Sequence, residues 1–330
     1  MVNMPPDMVD RTPYQSILYE KDAQESRLVR ITLNQPEKMN ALSYDMCMDL
    51  KHALITAERD PEVKAIIIRG AGRTFGAGYD IGTSPHYTEG LSPMIAKQDH
   101  HTYYHQDVWF TIWNLQKPVI AQVHGYALAG ASELAAMCDI TIIADDAVFG
   151  YPPSRAMSSP DTFYWPWLIG LKKAKYLCMS GDPITGKEAA DIGLATMSVP
   201  GDKLEETATL VAKRLCMIPS ELLFFYKLGC NRSAEIMGMR VATELFTQFH
   251  DYSHTFDSVG EFNRVSREKG LQAALAWRDG KFGDDFRALK AAAAKKGTDY
   301  PFPQVLSMPE TRAAVEKAME DYQEERKKRS

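Results

Sequence analysis

No stretch of this sequence stays apolar for the roughly twenty residues that a membrane span needs, so no membrane partner is expected. Cysteine is sparse. The five residues, Cys47, Cys138, Cys178, Cys216 and Cys230, are odd in number and widely spaced, and no Cys-x-x-Cys occurs. That pattern argues against a disulfide framework and for reduced thiols in a cytoplasmic protein. A basic excess is missing too. Lys and Arg number 38 against 43 Asp and Glu, for a net charge of −5, which argues against a nucleic-acid or anionic lipid surface. Residues 1–10 hold prolines and acids without an apolar centre, so a signal peptide is not expected. Internal repeats are absent. Glycines at 70, 72, 76 and 78 follow an apolar run, but they miss the Gly-x-Gly-x-x-Gly spacing of a dinucleotide site, and no long helix opens directly from them.

What remains is the composition of an ordinary globular protein, 45% apolar and 25% charged over 330 residues. Alternating apolar residues at 16–20 and 28–33 predict a hairpin. Ser43 is a candidate N-cap for a helix to Arg59, with Met46, Leu50, Ala53, Leu54 and Ala57 on one face, ended by Asp60-Pro61. Val63–Ile68 reads as a strand buried on both faces, which makes strand–helix–strand, the unit of a parallel sheet. Further strands are expected at 119–123, 140–143 and 197–199. A helix over 97–114 carries Tyr103, Tyr104, Trp109, Phe110 and Trp113 together with His100, His101 and His105. His101 and His105 lie one turn apart, but no acid or cysteine completes a ligand set, so hydrogen-bonded histidines are expected and no metal. Short helices are read at 171–179, after Pro166, and at 185–195. From 202 onward the chain reads as helices at 203–217, 219–229, 232–256, 259–277 and 309–328. The expected organisation is an α/β protein with a flexible lead (1–16), a core (17–200), a helical region (201–283) and a helical extension (284–330).

The most informative stretch is Lys117 to Asp139. It reads as a strand, a glycine-punctuated turn and a helix starting near Gly130. The first amides of a helix have no partner inside it, and with the positive helix end behind them they suit an oxyanion or a phosphate. Glycine at 130 leaves the approach open. One turn on, Glu133 sits among Leu134, Ala135 and Ala136. A carboxyl group so placed is costly to bury, and it should hold a proton, a partner or a role. Gly78 and Tyr79, in the earlier glycine loop, are positioned to offer a second amide. Asp139, closing the helix, reads as structural.

Phe75-Gly-Ala-Gly-Tyr-Asp80, Lys117–Asp139, Phe149-Gly-Tyr-Pro152, Ser180–Ala189 with Gly193-Leu-Ala195, Leu33-Asn-Gln-Pro36 with Asn40-Ala-Leu42, and Ser266–Gly270 with Trp277-Arg278 occur in an order and spacing that resembles the crotonase (enoyl-CoA hydratase/isomerase) superfamily over about 28–283. The resemblance implies a spiral of ββα units with a helical C-terminal trimerisation region, and a homotrimer or dimer of trimers. It implies an acyl-CoA substrate, with no separate cofactor because coenzyme A arrives on the substrate. It implies an oxyanion hole from the backbone amides of Tyr79 and Gly130, where a thioester enolate is stabilised. Coenzyme A contacts are implied at Lys38 to Ala41 and at Gly76 and Ala77, with Lys38 or Arg73 meeting phosphates.

The chain departs from that pattern in its proton chemistry. Family hydratases use two glutamates. The first matches Glu133, and the second falls on Pro153, which can move no proton. Eight residues later, where other members place an aspartate, stands Asp161. Glu133 and Asp161 are therefore the expected acid–base pair, although Pro-Asp-Thr also reads as a helix N-cap. Ser132, Arg155 and Tyr151 are pocket candidates. Aromatic residues at 103–113 and 163–167 favour a bulky acyl group, or else pack a core or interface. The expected reaction is hydration or double-bond isomerisation of an α,β-unsaturated acyl-CoA. Two alternatives stand beside it: cleavage of a carbon–carbon bond in a cyclic β-dicarbonyl, and a non-catalytic scaffold.

Overall fold

The structure, a computed structural model, describes residues 10–81, 105–283 and 308–329. Strands β1 (Ile17–Lys21) and β2 (Leu28–Leu33) form the expected antiparallel hairpin, with Ile17 opposite Leu33. The sheet then continues in parallel through β3 (Ala65–Gly70), β4 (Val119–Val123), β6 (Ile140–Ala144) and β9 (Met197–Val199), in the order β1-β2-β3-β4-β6-β9. Every residue of β2 and β4 is buried, as strands covered on both faces require. A second, smaller sheet joins β5 (Tyr126–Leu128), β7 (Val148–Gly150) and β8 (Ile184–Thr185). β5 lies within the segment read as a turn. Its three residues are too few for a period to show, and they form a strand because β7 pairs with them.

Helix α1 (Tyr44–Arg59) starts at Ser43, whose Oγ accepts from the Met46 amide. Its buried face holds the five apolar residues expected and also Asp49. Asp49 accepts from Arg11 Nε and from the amides of Gln15 and Ser16, so the end of the N-terminal lead is fastened to α1. Helices α2 (Asp107–Asn114) and α3 (Gly130–Met137) flank β4. Residues 97–104 of the expected aromatic helix lie outside the described residues. Pro166 does not interrupt α4 (Trp165–Ser180); it sits in the first turn, where no amide hydrogen bond is lost. The break falls at Gly170 instead, at φ 75°.

After α5 (Gly186–Asp191) and α6 (Leu204–Cys216) come α7 (Ser220–Ile236), α8 (Met239–Ser253), α9 (Asp257–Lys269), α10 (Leu271–Gly280) and α11 (Pro309–Arg329). The boundary expected near 230 shifts to Gly238 (φ 87°), and the helix expected over 259–277 is split at Gly270 (φ 85°), where a positive φ suits glycine alone. One apolar core runs from Ile17 to Met239. Lys227 on α7 locks the helical part to it, donating to the carbonyls of Ile112 and Lys117 and, at 2.7 Å, to Asp139. Asp139 also accepts from the Val119 amide, the structural role read for it.

Two loops that lead to the site are laced together by Asn40, which is fully buried. Its Nδ2 donates to the carbonyls of Ala71 (2.9 Å) and Thr74 (2.8 Å), and its Oδ1 accepts from the Gln35 amide at 3.0 Å. Met39 and Asn40 both take left-handed backbone, which asparagine tolerates. Asn40→Ala removes the partner of three backbone groups, of which the Thr74 carbonyl is fully buried. It is expected to cost at least ~2 kcal/mol of unfolding free energy by urea titration.

Candidate active site

Four residues singled out in the sequence meet at the N-terminus of α3. The loop after β3 runs beside β5, where Gly76 donates to Tyr126 and accepts from Leu128. Two residues on, Gly78 lies so close to α3 that a β-carbon there would sit 2.8 Å from that of Ala129. Gly78 and Ala129, the residues that precede Tyr79 and Gly130, are therefore in close contact. No backbone carbonyl among the described residues accepts from the amide of Tyr79 or of Gly130.

Ala129, which precedes the helix, has φ 49° and ψ −130°, a region that costs an L-residue about 1–3 kcal/mol. Beyond this turn Ala129 O accepts from the amides of Ser132 and Glu133, which opens α3. Ala129→Gly removes the strain at some cost in chain entropy. It is expected to raise unfolding free energy by ~1 kcal/mol in urea titration.

Glu133 and Asp161 are both fully buried. The Tyr79 hydroxyl lies between them, 2.9 Å from Glu133 Oε2 and 2.7 Å from Asp161 Oδ1. On its far side Asp161 Oδ2 accepts from His105 Nδ1 at 3.1 Å. Glu133 Oε1 accepts from the Thr162 amide at 2.7 Å. Burial, and then the charge of Asp161, push the Glu133 carboxyl well above its usual range. Burial opposes the charge of Asp161 as well, but the hydrogen bond and charge of His105, with the attraction of His250, outweigh it and hold Asp161 well below the usual range. The pair is thus one neutral acid and one carboxylate.

That assignment gives every proton an acceptor. The Glu133 hydroxyl donates to the Tyr79 oxygen, Tyr79 donates to Asp161, and His105 donates to Asp161 from the other side. Two carboxyl groups driven to opposite protonation states are poised as a general acid and a general base. The backbone behind them is fixed. Tyr164 OH donates to the Glu133 carbonyl at 2.5 Å, and Thr247 Oγ1 on α8 donates to the Asp161 carbonyl at 2.7 Å. Asp161 is no N-cap: α4 starts at Trp165.

The remaining candidates fall in three places. Lys38, Ala41, Gly76 and Ala77 share the edge laced by Asn40. Here Ala77 donates to Met39 O, Ala41 to Lys38 O, and exposed Lys38 pairs with Asp80 at 3.4 Å. Arg73 is exposed in the same loop. Tyr151 is buried, and its hydroxyl donates to Ser159 O at 3.0 Å, two residues before Asp161. Arg155 is engaged with Asp182 and Ser180, and Ser132 with Ala129 O. Pro153 lies in a short 3-10 turn, Pro152–Arg155. Two residues escaped the sequence reading: Tyr79 as a side chain, and His105 as the partner of Asp161. A large polar ring directly after Gly76-Ala-Gly78 was the one available signal.

A family model described as enoyl-CoA hydratase/isomerase matches residues 23–284. A crotonyl-CoA hydratase of Syntrophomonas wolfei is 36% identical over 206 residues, covering 61% of this chain and 76% of its own. A hydroxycinnamoyl-CoA hydratase-lyase of Pseudomonas fluorescens is 29% identical over 261 residues, 76% of this chain and 90% of its own. Among solved structures, an enoyl-CoA hydratase/isomerase from Xanthobacter autotrophicus superposes with a TM-score of 0.74 at 35% identity, covering 82% of this chain and 99% of that one. The sheets, the α3 turn and these likenesses agree, and this chain belongs to the enoyl-CoA hydratase/isomerase family, with the crotonase fold.

Proposed function

We propose that this protein acts on an unsaturated acyl-CoA, holding the thioester oxygen between the amides of Tyr79 and Gly130 while Glu133 and Asp161 exchange protons with the acyl chain. The observation that carries the reading is the buried Glu133–Tyr79–Asp161 hydrogen-bonded chain, with the Tyr79 and Gly130 amides taken by no carbonyl among the described residues. Removal of a proton next to the thioester sends charge to the carbonyl oxygen. Fixed donors there act where that charge develops, at ~3 kcal/mol of barrier each. Coenzyme A would enter with the substrate along the edge of residues 38–41 and 73–77, where Lys38 and Arg73 offer charge to its phosphates.

The acyl group is bulky and apolar in this reading. An open apolar hollow of about 480 Å³ is lined by Phe163, Pro166, Trp167, Leu171, Ala242, Leu245 and Phe246. Phe163 follows Asp161 by two residues in the chain. The Pseudomonas relative carries an aryl acyl substrate in its name, which agrees. The exposed apolar side chains of α7 and α8, among them Phe225, Tyr226, Val241 and Tyr252, suit burial against other copies of the chain. Sedimentation velocity is expected to show a trimer or larger species.

The deciding experiment is a panel of acyl-CoA thioesters with double bonds at different positions and acyl groups of rising size, followed by mass spectrometry. Turnover that improves with apolar bulk supports the reading, and no turnover on any thioester ends it. The His105–Asp161 hydrogen bond favours one second reading, because an imidazole oriented by a carboxylate can activate water. Under that reading a cyclic β-diketone is cleaved, and a diketone assay run in parallel separates the two.

A further inference from the structure

We propose that the Tyr79 hydroxyl fills the place an added water would need between Glu133 and Asp161 and links the two as a proton relay, so that the site moves double bonds and does not hydrate them. The inference rests on the acyl-CoA reading above and decides which reaction that site performs. A water shared by two carboxyl groups lies at ordinary hydrogen-bond distance from both. The phenol oxygen already stands there, at 2.9 Å and 2.7 Å.

The ring is wedged in that position. One face stacks on His105, with centroids 3.9 Å apart at 24°. The ring also presses on Gly130, where a β-carbon would come within 2.3 Å of two ring carbons. Pro153, in the short turn Pro152–Arg155, neither activates nor orients water.

The proton steps balance without water. Asp161 takes a proton from the carbon next to the thioester, and the C–H electron pair passes to the carbonyl oxygen held by the two amides. As the pair returns through the conjugated chain, Glu133 gives its proton to a more distant carbon, and the double bond has moved. Glu133 is now a carboxylate and Asp161 an acid. Asp161 then donates to the Tyr79 oxygen while Tyr79 donates to Glu133, which restores the starting state. The bridge that links the acids at rest is thus the path that resets them after each turnover.

The test uses the full-length protein, a matched pair of β,γ- and α,β-unsaturated thioesters, and oxygen-labelled water. Wild type is expected to interconvert the pair at least ~100-fold faster than it incorporates label. Tyr79→Phe keeps the ring and the backbone amide and removes the relay. It is expected to slow isomerisation by ~100-fold without gaining hydration. Tyr79→Ala opens the space, and the ratio of hydration to isomerisation is expected to rise at least ~10-fold.

Label entering the product as fast as wild type isomerises would overturn the proposal, and so would undiminished isomerisation by Tyr79→Phe. Should Tyr79→Ala fail to fold, the wild-type partition and the phenylalanine variant still decide. Wild type that is inert toward both thioesters refutes the acyl-CoA reading itself, which is a different outcome from fast hydration.

Discussion

Glutamine at position 133 is expected to lower kcat by ~10²–10⁴ and at the same time to make the protein more stable at neutral pH. Both effects have one cause. Glu133 is held neutral by burial and by Asp161, and in that state one oxygen accepts from Thr162 while the other donates to Tyr79. A glutamine amide reproduces the same pattern, oxygen toward Thr162 and nitrogen toward Tyr79, but it carries no transferable proton.

The sign of the stability change follows from linkage. A carboxyl group raised in the folded state holds its proton there, while the unfolded chain ionises above the ordinary glutamate value of 4.5. Its contribution is complete below the unfolded value and is lost as pH rises toward the folded one. Glutamine has no such loss. The gain of Glu133→Gln over wild type should therefore be absent near pH 4. It should grow above that value by up to ~1.4 kcal/mol per pH unit. Urea titrations at several pH values measure it, beside kcat at each. A variant that loses activity and also stability at neutral pH would mean that Glu133 is ionised in the native protein.

Alanine at position 130 is expected to reduce kcat/KM by ~10²–10³, with the fold retained. The added carbon would meet the Tyr79 ring at 2.3 Å. Flexible side chains often yield to such a clash, but this ring is stacked on His105 and its hydroxyl is bonded to two acids. Relief requires either moving the ring, which breaks the proton bridge, or moving the first turn of α3, which shifts the amide proposed to meet the thioester oxygen. The stability cost is that of overpacking, ~1–3 kcal/mol. Steady-state kinetics with a thermal melt separates loss of function from loss of fold. Activity within a few-fold of wild type would remove the Gly130 amide from the site.

The α3 stretch was legible in the sequence because its signals are local. An apolar strand, glycines and one acid on an apolar helix all lie within twenty-three residues, Lys117 to Asp139. Glu133 could be picked out alone. Asp161 needed the family spacing, since nothing next to it distinguishes a base from a cap. The Tyr79 hydroxyl was invisible for a physical reason: its partners lie 54 and 82 residues away, and only the folded loops join them. His105 shows the same limit. Helical spacing paired it with His101, whereas the structure pairs it with an acid 56 residues on. The helix boundaries failed where a glycine with positive φ, Gly238 or Gly270, ends a helix inside a run that favours one throughout.

Asp161 stands on a short peptide that α8 holds from 86 residues downstream, through Thr247 on the Asp161 carbonyl, with His250 on that of Ser159. Gln106, next to His105, donates to the same Thr247 hydroxyl. Chimaeras between relatives therefore have to inherit 105–106, 158–162 and 243–250 from a single parent. A crossover that divides them is expected to loosen the peptide that carries Asp161, the proposed base, while leaving the sheet and its core in place.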